Sequence, residues 1–356
     1  MVSAINLKKT PKIIKSFVLK FIYISKILLL KIWKFICNVF NFWVKFARYD
    51  FLQIIDFRLP RKIWKKINTR RLKYFKNFLE KKYSKFIEEY KNKEIIIWRN
   101  DKKIWVLWWQ WSENMPQLVK KCIRSIEENR WDYEVVVLDS KNYEHYVELP
   151  HFIMKKVEEK KISITHLSDI IRMSLLKQYG WVWVDATMFI NSDIFKTFDG
   201  VNLNSVYVKL EDSSLWLKWG LSRRWSVKWS IWLIWWKSNR LFSFVYDFLI
   251  QYWNDYNYIM DYFLTDMVIS IAYDKFEDCR KDIDRISNVN NQVDKLWGLF
   301  NKRYNENVRN DIMNIPYSKL TRKEKFHEVD KSGYLTIYWK FMQNKLFLRK
   351  YTSINS

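Results

Sequence analysis

Apolar and polar positions change rhythm twice along this chain. From 12 to 47, bulky apolar residues recur at helical spacing with no Pro or Gly among them, which predicts one long helix. At about 100° per residue, Ser16, Lys20, Lys31, Lys34, Asn38 and Lys45 fall in one narrow sector. Phe17, Phe21, Ile24, Leu28, Ile32, Phe35 and Phe42 occupy the sector beside it, while Lys15 and Lys26 lie off the polar stripe. A wide apolar surface with one main Lys stripe suits a helix lying in a membrane interface, its lysines against anionic head groups. A helix packed on the following domain, with its lysines in water, gives the same pattern. Pro60 breaks the pattern, and residues 61–92 predict a second, basic amphipathic helix.

After Lys93 the rhythm turns to alternating strands and helices. KIWVLWW at 103–109 and YEVVVL at 133–138 predict strands. Between them Met115 to Asn129 predicts a helix, with Asn114 as N-cap and Pro116 near the first turn. Ile164 to Tyr179 predicts a further helix closed by Gly180, and Trp181 to Ala186 a third, buried strand. This β-α-β-α-β order predicts an α/β fold with a mostly parallel sheet. Ligands in such sheets sit at the carboxyl ends of strands: here Trp109-Gln110-Trp111, Asp139 and Asp185-Ala186-Thr187.

Charge adds a division of labour. The net charge is +25, and the basic residues crowd the stretch from Lys8 to Lys93. The chain therefore reads as a basic amphipathic helical arm, 1–94, before a catalytic domain, 95–356. Such an arm binds anionic lipid or polyanions. It lacks a recognition-helix, RNA-recognition or zinc-finger signature, so nucleic acid is the weaker partner. Neither a transmembrane helix nor a signal peptide is predicted, because lysines interrupt the apolar run. Cys37, Cys122 and Cys279 are too few and scattered for a disulfide framework, and the four histidines have no zinc spacing.

The blocks IWVLWWQWSENMP, YEVVVLD and ISITHLSDIIRMSLLKQYGWVWVDATMF, in that order, resemble the capsular polysaccharide synthesis family. So does the later stretch SVKWSIWLIWWKSNRLFSFVYDFLIQYWNDYNYIMDYFLTDMVI, and the resemblance covers about 95–345. Those proteins are glycosyltransferases akin to the α-mannosyl and initiation-specific transferases of family 32. The resemblance implies a GT-A-like fold, a nucleotide-diphosphate sugar as donor, and hexosyl transfer with retention. The acceptor it implies is a capsular or surface polysaccharide, or its lipid-linked precursor.

Such a reaction must neutralise charge on the departing diphosphate. Asp185 follows the apolar run WVWV and matches the first acid of the wider superfamily's Asp-x-Asp motif. It is the expected catalytic residue and ligand of a divalent metal, Mn or Mg. Thr187 stands where the second acid belongs, which weakens the metal site. Asp169 and Arg172 lie at i and i+3 and share a helix face; with Ser168 the resemblance places them at the donor. A local helix ion pair is the alternative. Gln110 and Trp109, or Trp108, are expected to line the nucleotide pocket, with core packing the alternative for the aromatics. Asp261 and Asp266, five apart, cannot share one helix face, and Asp266 is favoured as the second catalytic acid. His166 reads as structural or substrate-lining. His327 and the run Arg322-Lys323-Lys325 read as surface charge.

Composition then changes the picture once more. The chain has 21 Trp and 5 Gly, where glycine alone would number roughly 25 at the ~7% typical of globular proteins. The two counts together make about one normal glycine complement. Many of these Trp are therefore expected to be glycines, encoded by UGA and misread as Trp. The family has Gly at the positions of Trp111 and Trp181 and near Trp235 and Trp236, and Gly also suits 131 and 339. Trp108, Trp109, Trp183 and Trp253 fit as Trp. The expected protein is a membrane-associated bacterial glycosyltransferase, peripheral on the inner face of the cell membrane. The competing reading is a non-catalytic basic protein that binds membrane or nucleic acid and keeps a degenerate transferase core.

Overall fold

The computed structural model describes residues 61–94, 102–198, 203–205, 230–236, 240–286 and 292–347, with six isolated positions between 25 and 39. The helix expected over 12–47 lies outside the described residues apart from those six, which are helical. The chain divides into two compact units, Met1–Lys81 with Tyr258–Leu264, and Lys82–Asn257 with Thr265–Ser356.

The first unit contains most of α1 (Arg61–Lys82). Leu72, Phe75 and Leu79 of this helix are fully buried, although Lys and Arg dominate its sequence. Arg71 is buried with them, pairs with the Asp261 carboxylate and stacks on the Phe75 ring at 4.6 Å. A guanidinium can be buried this way because its charge is matched.

The second unit opens at Lys82 and contains α2 (Ser84–Lys91). Aromatic contacts tie α2 to the α/β core: Tyr83 meets Phe248 at 4.7 Å and Tyr90 meets Phe244 at 5.3 Å. The chain continues through β1 (Lys103–Leu107), α3 (Gln117–Glu128), β2 (Glu134–Leu138), α4 (His151–Glu158), α5 (Ile164–Gln178), β3 (Trp181–Val184) and β4 (Met188–Ile190). β5 (Leu203–Ser205), β6 (Leu233–Trp236), α6 (Arg240–Asp255), α7 (Leu264–Lys275) and α8 (Glu277–Asp284) follow. α9 (Lys295–Leu299), α10 (Glu306–Met313), β7 (Tyr317–Lys319) and α11 (Ile337–Met342) complete it. α7 begins at the unit boundary and belongs to the second unit from Thr265 on.

The main sheet has the order β2-β1-β3-β6-β5. β1 runs parallel to β2 and to β3, whereas β6 runs antiparallel to both β3 and β5. The fold is α/β as expected, with a parallel centre and an antiparallel edge. β3, inside the sheet, is buried at every residue, and α5 buries nine of its own, whereas β2, at the edge, exposes Glu134 and half-buries Val135 and Val137. A separate two-stranded sheet pairs β4 with β7, Met188 opposite Lys319. Pro116 is the N-cap of α3, with extended φ −58° and ψ 146°, and Asn114 ends the short turn before it. Proline suits that boundary because it has no N–H to leave unpaired.

Two backbone conformations bear on the glycine deficit. Trp131 has φ 55° and Trp181 has φ 69°, in the left-handed region next to Gly180 at φ 71°. Glycine enters that region freely, whereas a bulky side chain there is an outlier costing roughly 1–2 kcal/mol. Lys160 and Asn344 share the conformation just beyond α4 and α11, where chains commonly turn left-handed. Trp111, Trp235 and Trp339 do not share it, so backbone geometry singles out 131 and 181 among the suspected positions. Trp131 is 49% exposed, and Trp131→Gly should raise stability by about 1 kcal/mol in urea unfolding; a loss would count against a glycine position. The recoding expectation also predicts that peptide 178–196, cut after Lys177 and Lys196 from protein of the native cells, has the mass of one Gly for Trp at 181. A mass matching Trp at both 181 and 183 refutes it there.

Candidate active site

The carboxyl ends of β1, β2 and β3 lie on one edge of the sheet, because the parallel registers align Trp105 with both Val136 and Trp183. Asp185 is the first residue beyond β3. Its backbone N–H donates to the Trp232 carbonyl at 2.7 Å, and its own carbonyl accepts from Met188 at 2.8 Å. This tight turn fixes the carboxylate.

α5 supplies the next pair. Ser163 caps the helix, accepting from the His166 N–H, and its hydroxyl lies 2.8 Å from His166 Nδ1. His166 therefore belongs to the cap. Asp169 and Arg172 sit one turn apart and both are buried. Asp169 lies beyond the first turn, so the helix N-terminus is not what stabilises its charge. Arg172 is the hub of the cluster. Its Nη1 donates to Asp169 Oδ1 at 2.8 Å, its Nη2 donates to Asp185 Oδ1 at 3.1 Å, and its guanidinium lies over the Trp183 ring at 4.6 Å. Trp183 Nε1 also donates to Asp185 Oδ1, at 2.8 Å. Thr265, in the first turn of α7, donates to Asp169 Oδ2 at 3.1 Å.

Lys319, at the end of β7, completes the cluster, its Nζ donating to Asp185 Oδ2 at 2.5 Å. Neither Lys319 nor Thr265 was found by sequence reasoning. Lys319 is 134 residues from its partner, and a three-residue strand has too short a pattern to read.

Electrostatics separate the acids. Burial works to raise Asp185, but the Lys319 and Arg172 charges outweigh it and hold the carboxyl below its usual range. Burial raises Asp169 above that range, opposed by Arg172, His166 and the Thr265 hydroxyl. Burial also raises Asp294, at the start of α9, to about 6, opposed by Trp297 Nε1 and the Lys319 charge.

The remaining expected site residues are distributed as follows. Ser168 is half-buried beside Asp169, and the Thr187 carbonyl accepts the Leu320 N–H at 2.8 Å. Trp109 packs on Tyr143 at 5.2 Å, and Gln110 is exposed beyond it at the same sheet edge. Trp108 is buried in the core, with the Arg322 guanidinium over its ring at 5.0 Å. Trp111 is exposed, donates to Ser140 Oγ at 2.8 Å and carries the Lys141 ammonium over its ring at 4.1 Å. Asp139 closes its own turn by accepting from the N–H groups of Lys141 and Asn142. Asp266 is half-buried in the first turn of α7, while Asp261 is the buried partner of Arg71. Asp261 precedes that helix, so the two acids do not lie on one helix.

The side chains available to the divalent metal expected at Asp185 are few. Mg²⁺ is usually held by one or two carboxylates together with substrate phosphates and waters. Both Asp185 oxygens already accept from cationic side chains, and the second acid is absent at Thr187. Among the described residues no group of three or more His, Cys, Asp or Glu could hold a metal ion.

An O-glycosyltransferase, braB, of Annulohypoxylon truncatum is 29% identical over 100 residues, which cover 26% of this chain and 24% of that protein. The matched segment thus spans about a quarter of the relative's length. Residues 57–340 match the profile of the capsular polysaccharide synthesis proteins, and the chain belongs to that family.

Proposed function

We propose that this protein transfers a sugar from a nucleotide-diphosphate sugar to a capsular or other surface polysaccharide, or to its lipid-linked precursor. The carrying observation is the cluster of Asp169, Arg172, Asp185 and Lys319 beside the carboxyl end of β3. Paired cations beside a strand end are suited to a diphosphate, and fixed carboxylates to holding those cations in place. Family membership and the partial likeness to an O-glycosyltransferase support the reaction class. A retaining hexosyl transfer is the finer form of this reading, and Ser168, Trp109, Gln110 and Thr187 are its candidate donor contacts.

The arm gives the enzyme its place. Leu29, Ile32, Trp33 and Ile36 recur at helical spacing and are exposed, the apolar stripe an interfacial helix needs. No helix among the described residues is long and apolar enough to cross a membrane. With a net charge of +25, the protein is suited to the anionic inner leaflet, where lipid-linked acceptors are presented.

The test is a panel of UDP-, GDP- and dTDP-sugars incubated with the full chain, following release of nucleoside diphosphate. Release from one donor class, increased by a polysaccharide acceptor, is expected. No release from any donor overturns the proposal.

A further inference from the structure

We infer that Lys319 is the cation that neutralises the departing diphosphate, and that transfer needs no divalent metal; this rests on the glycosyl-transfer reading above. Four charged groups form the cluster, and they balance: Asp169 and Asp185 against Arg172 and Lys319. The cations are not equivalent. The Arg172 side chain is 6% exposed and is held between two carboxylates above an indole ring. It holds Asp185 in place and has little freedom to leave. The Lys319 side chain is 21% exposed, and its ion-pair partner among the described residues is Asp185 Oδ2. Its ammonium is a point charge on a flexible stem, able to move to a phosphate oxygen while its backbone stays fixed.

That backbone is fixed from several sides. β7 pairs with β4, three residues beyond Asp185. The Lys319 N–H donates to the Val293 carbonyl at 2.9 Å, and the next N–H donates to Thr187 at 2.8 Å. Thr187 is the position where a second metal-binding acid was expected. The chain thus anchors a lysine beside the residue that replaces the acid. Asp294 also feels the Lys319 charge.

In the step itself the bond between the anomeric carbon and the diphosphate oxygen breaks, and its electron pair stays on the diphosphate. Negative charge grows on that oxygen, where the Lys319 ammonium stabilises it. The acceptor hydroxyl oxygen bonds to the anomeric carbon, and the diphosphate product takes its proton. The balance needs no further reactant.

The test is calorimetric binding of UDP, GDP and dTDP to the full chain, once in EDTA and once in Mn²⁺, for the parent, Lys319→Ala and Lys319→Arg. Thermal unfolding checks that each variant folds. The parent should bind one nucleotide equally in EDTA and Mn²⁺. Lys319→Ala should bind it about tenfold or more weakly in EDTA, the scale of a charge-assisted contact, and Lys319→Arg should recover most of the loss. Mn²⁺ should strengthen binding by Lys319→Ala, whose Asp185 Oδ2 is freed, and not by the parent; a merely structural lysine would not give that signature. Should Lys319→Ala fail to fold, Lys319→Gln, which keeps most of the stem without the charge, takes its place in the same comparison. Binding by the parent only in Mn²⁺, or undiminished binding by Lys319→Ala, overturns the inference and leaves glycosyl transfer standing. Failure of the parent to bind any of the three nucleotides in either condition removes the donor reading, and this inference with it.

Discussion

Arg172→Met should cost about 3–5 kcal/mol of unfolding free energy, the usual penalty for stranding a buried charge. Arg172 and Asp169 are both buried, and Arg172 is the side chain that joins Asp169 to Asp185. Methionine fills much of the same volume, so the loss reports the charge rather than a cavity. Without the guanidinium, Asp169 would keep the Thr265 hydroxyl but lose its ion pair. Its folded pKa, already raised by burial, would rise further above the unfolded value. Such an acid favours the folded state most at low pH, and that advantage is lost as pH rises from the unfolded towards the folded pKa. The variant should therefore recover stability as the pH falls below neutrality. Adding Asp169→Asn should restore most of the loss at pH 7, a coupling that a double-mutant cycle in urea measures directly. A loss under about 1 kcal/mol, or additive single effects, would show that the pair does not act as a buried unit.

Asp185→Asn should affect turnover more than binding. Asparagine can still accept from Trp183 and Arg172 through its amide oxygen, but it offers Lys319 no counter-charge. The ammonium would then be free to meet the diphosphate yet no longer held where charge develops. Turnover should fall about 10²–10³-fold, as when one preorganised electrostatic contact is removed. The KM for the donor should change little, which separates loss of positioning from loss of binding. In stability the sign is opposite to that of Asp169. The folded pKa of Asp185 is depressed, so the native carboxylate contributes stability above its unfolded pKa and loses it as pH falls through the folded one. Asp185→Asn should thus cost stability at neutral pH and little in strong acid.

The sequence pattern reached some parts of this molecule and missed others for physical reasons. The apolar runs in β1 and β3 were readable because buried strands are continuously apolar, and β2 because its run Val135-Val136-Val137 is strand-forming. Asp169 and Arg172 were readable because i,i+3 spacing places two side chains on one helix face. The antiparallel edge was not: the three residues of β5 carry too little pattern, and β6 lies in a run of four Trp within eight residues that periodicity cannot resolve. Lys319 and Thr265 were hidden because only tertiary structure brings them to Asp185 and Asp169. The glycine deficit was visible in composition alone, and the left-handed backbone at Trp131 and Trp181 supports it from an independent direction.

Donor turnover by the full chain, made with the residues that the 178–196 peptide mass establishes, tests the central claim most directly when it is compared with Asp185→Asn. The account predicts release of nucleoside diphosphate from at least one nucleotide sugar by the parent, and a rate at least about a hundredfold lower from the variant. Equal rates, or none from either protein, would contradict it and favour a non-catalytic basic protein built on a transferase core.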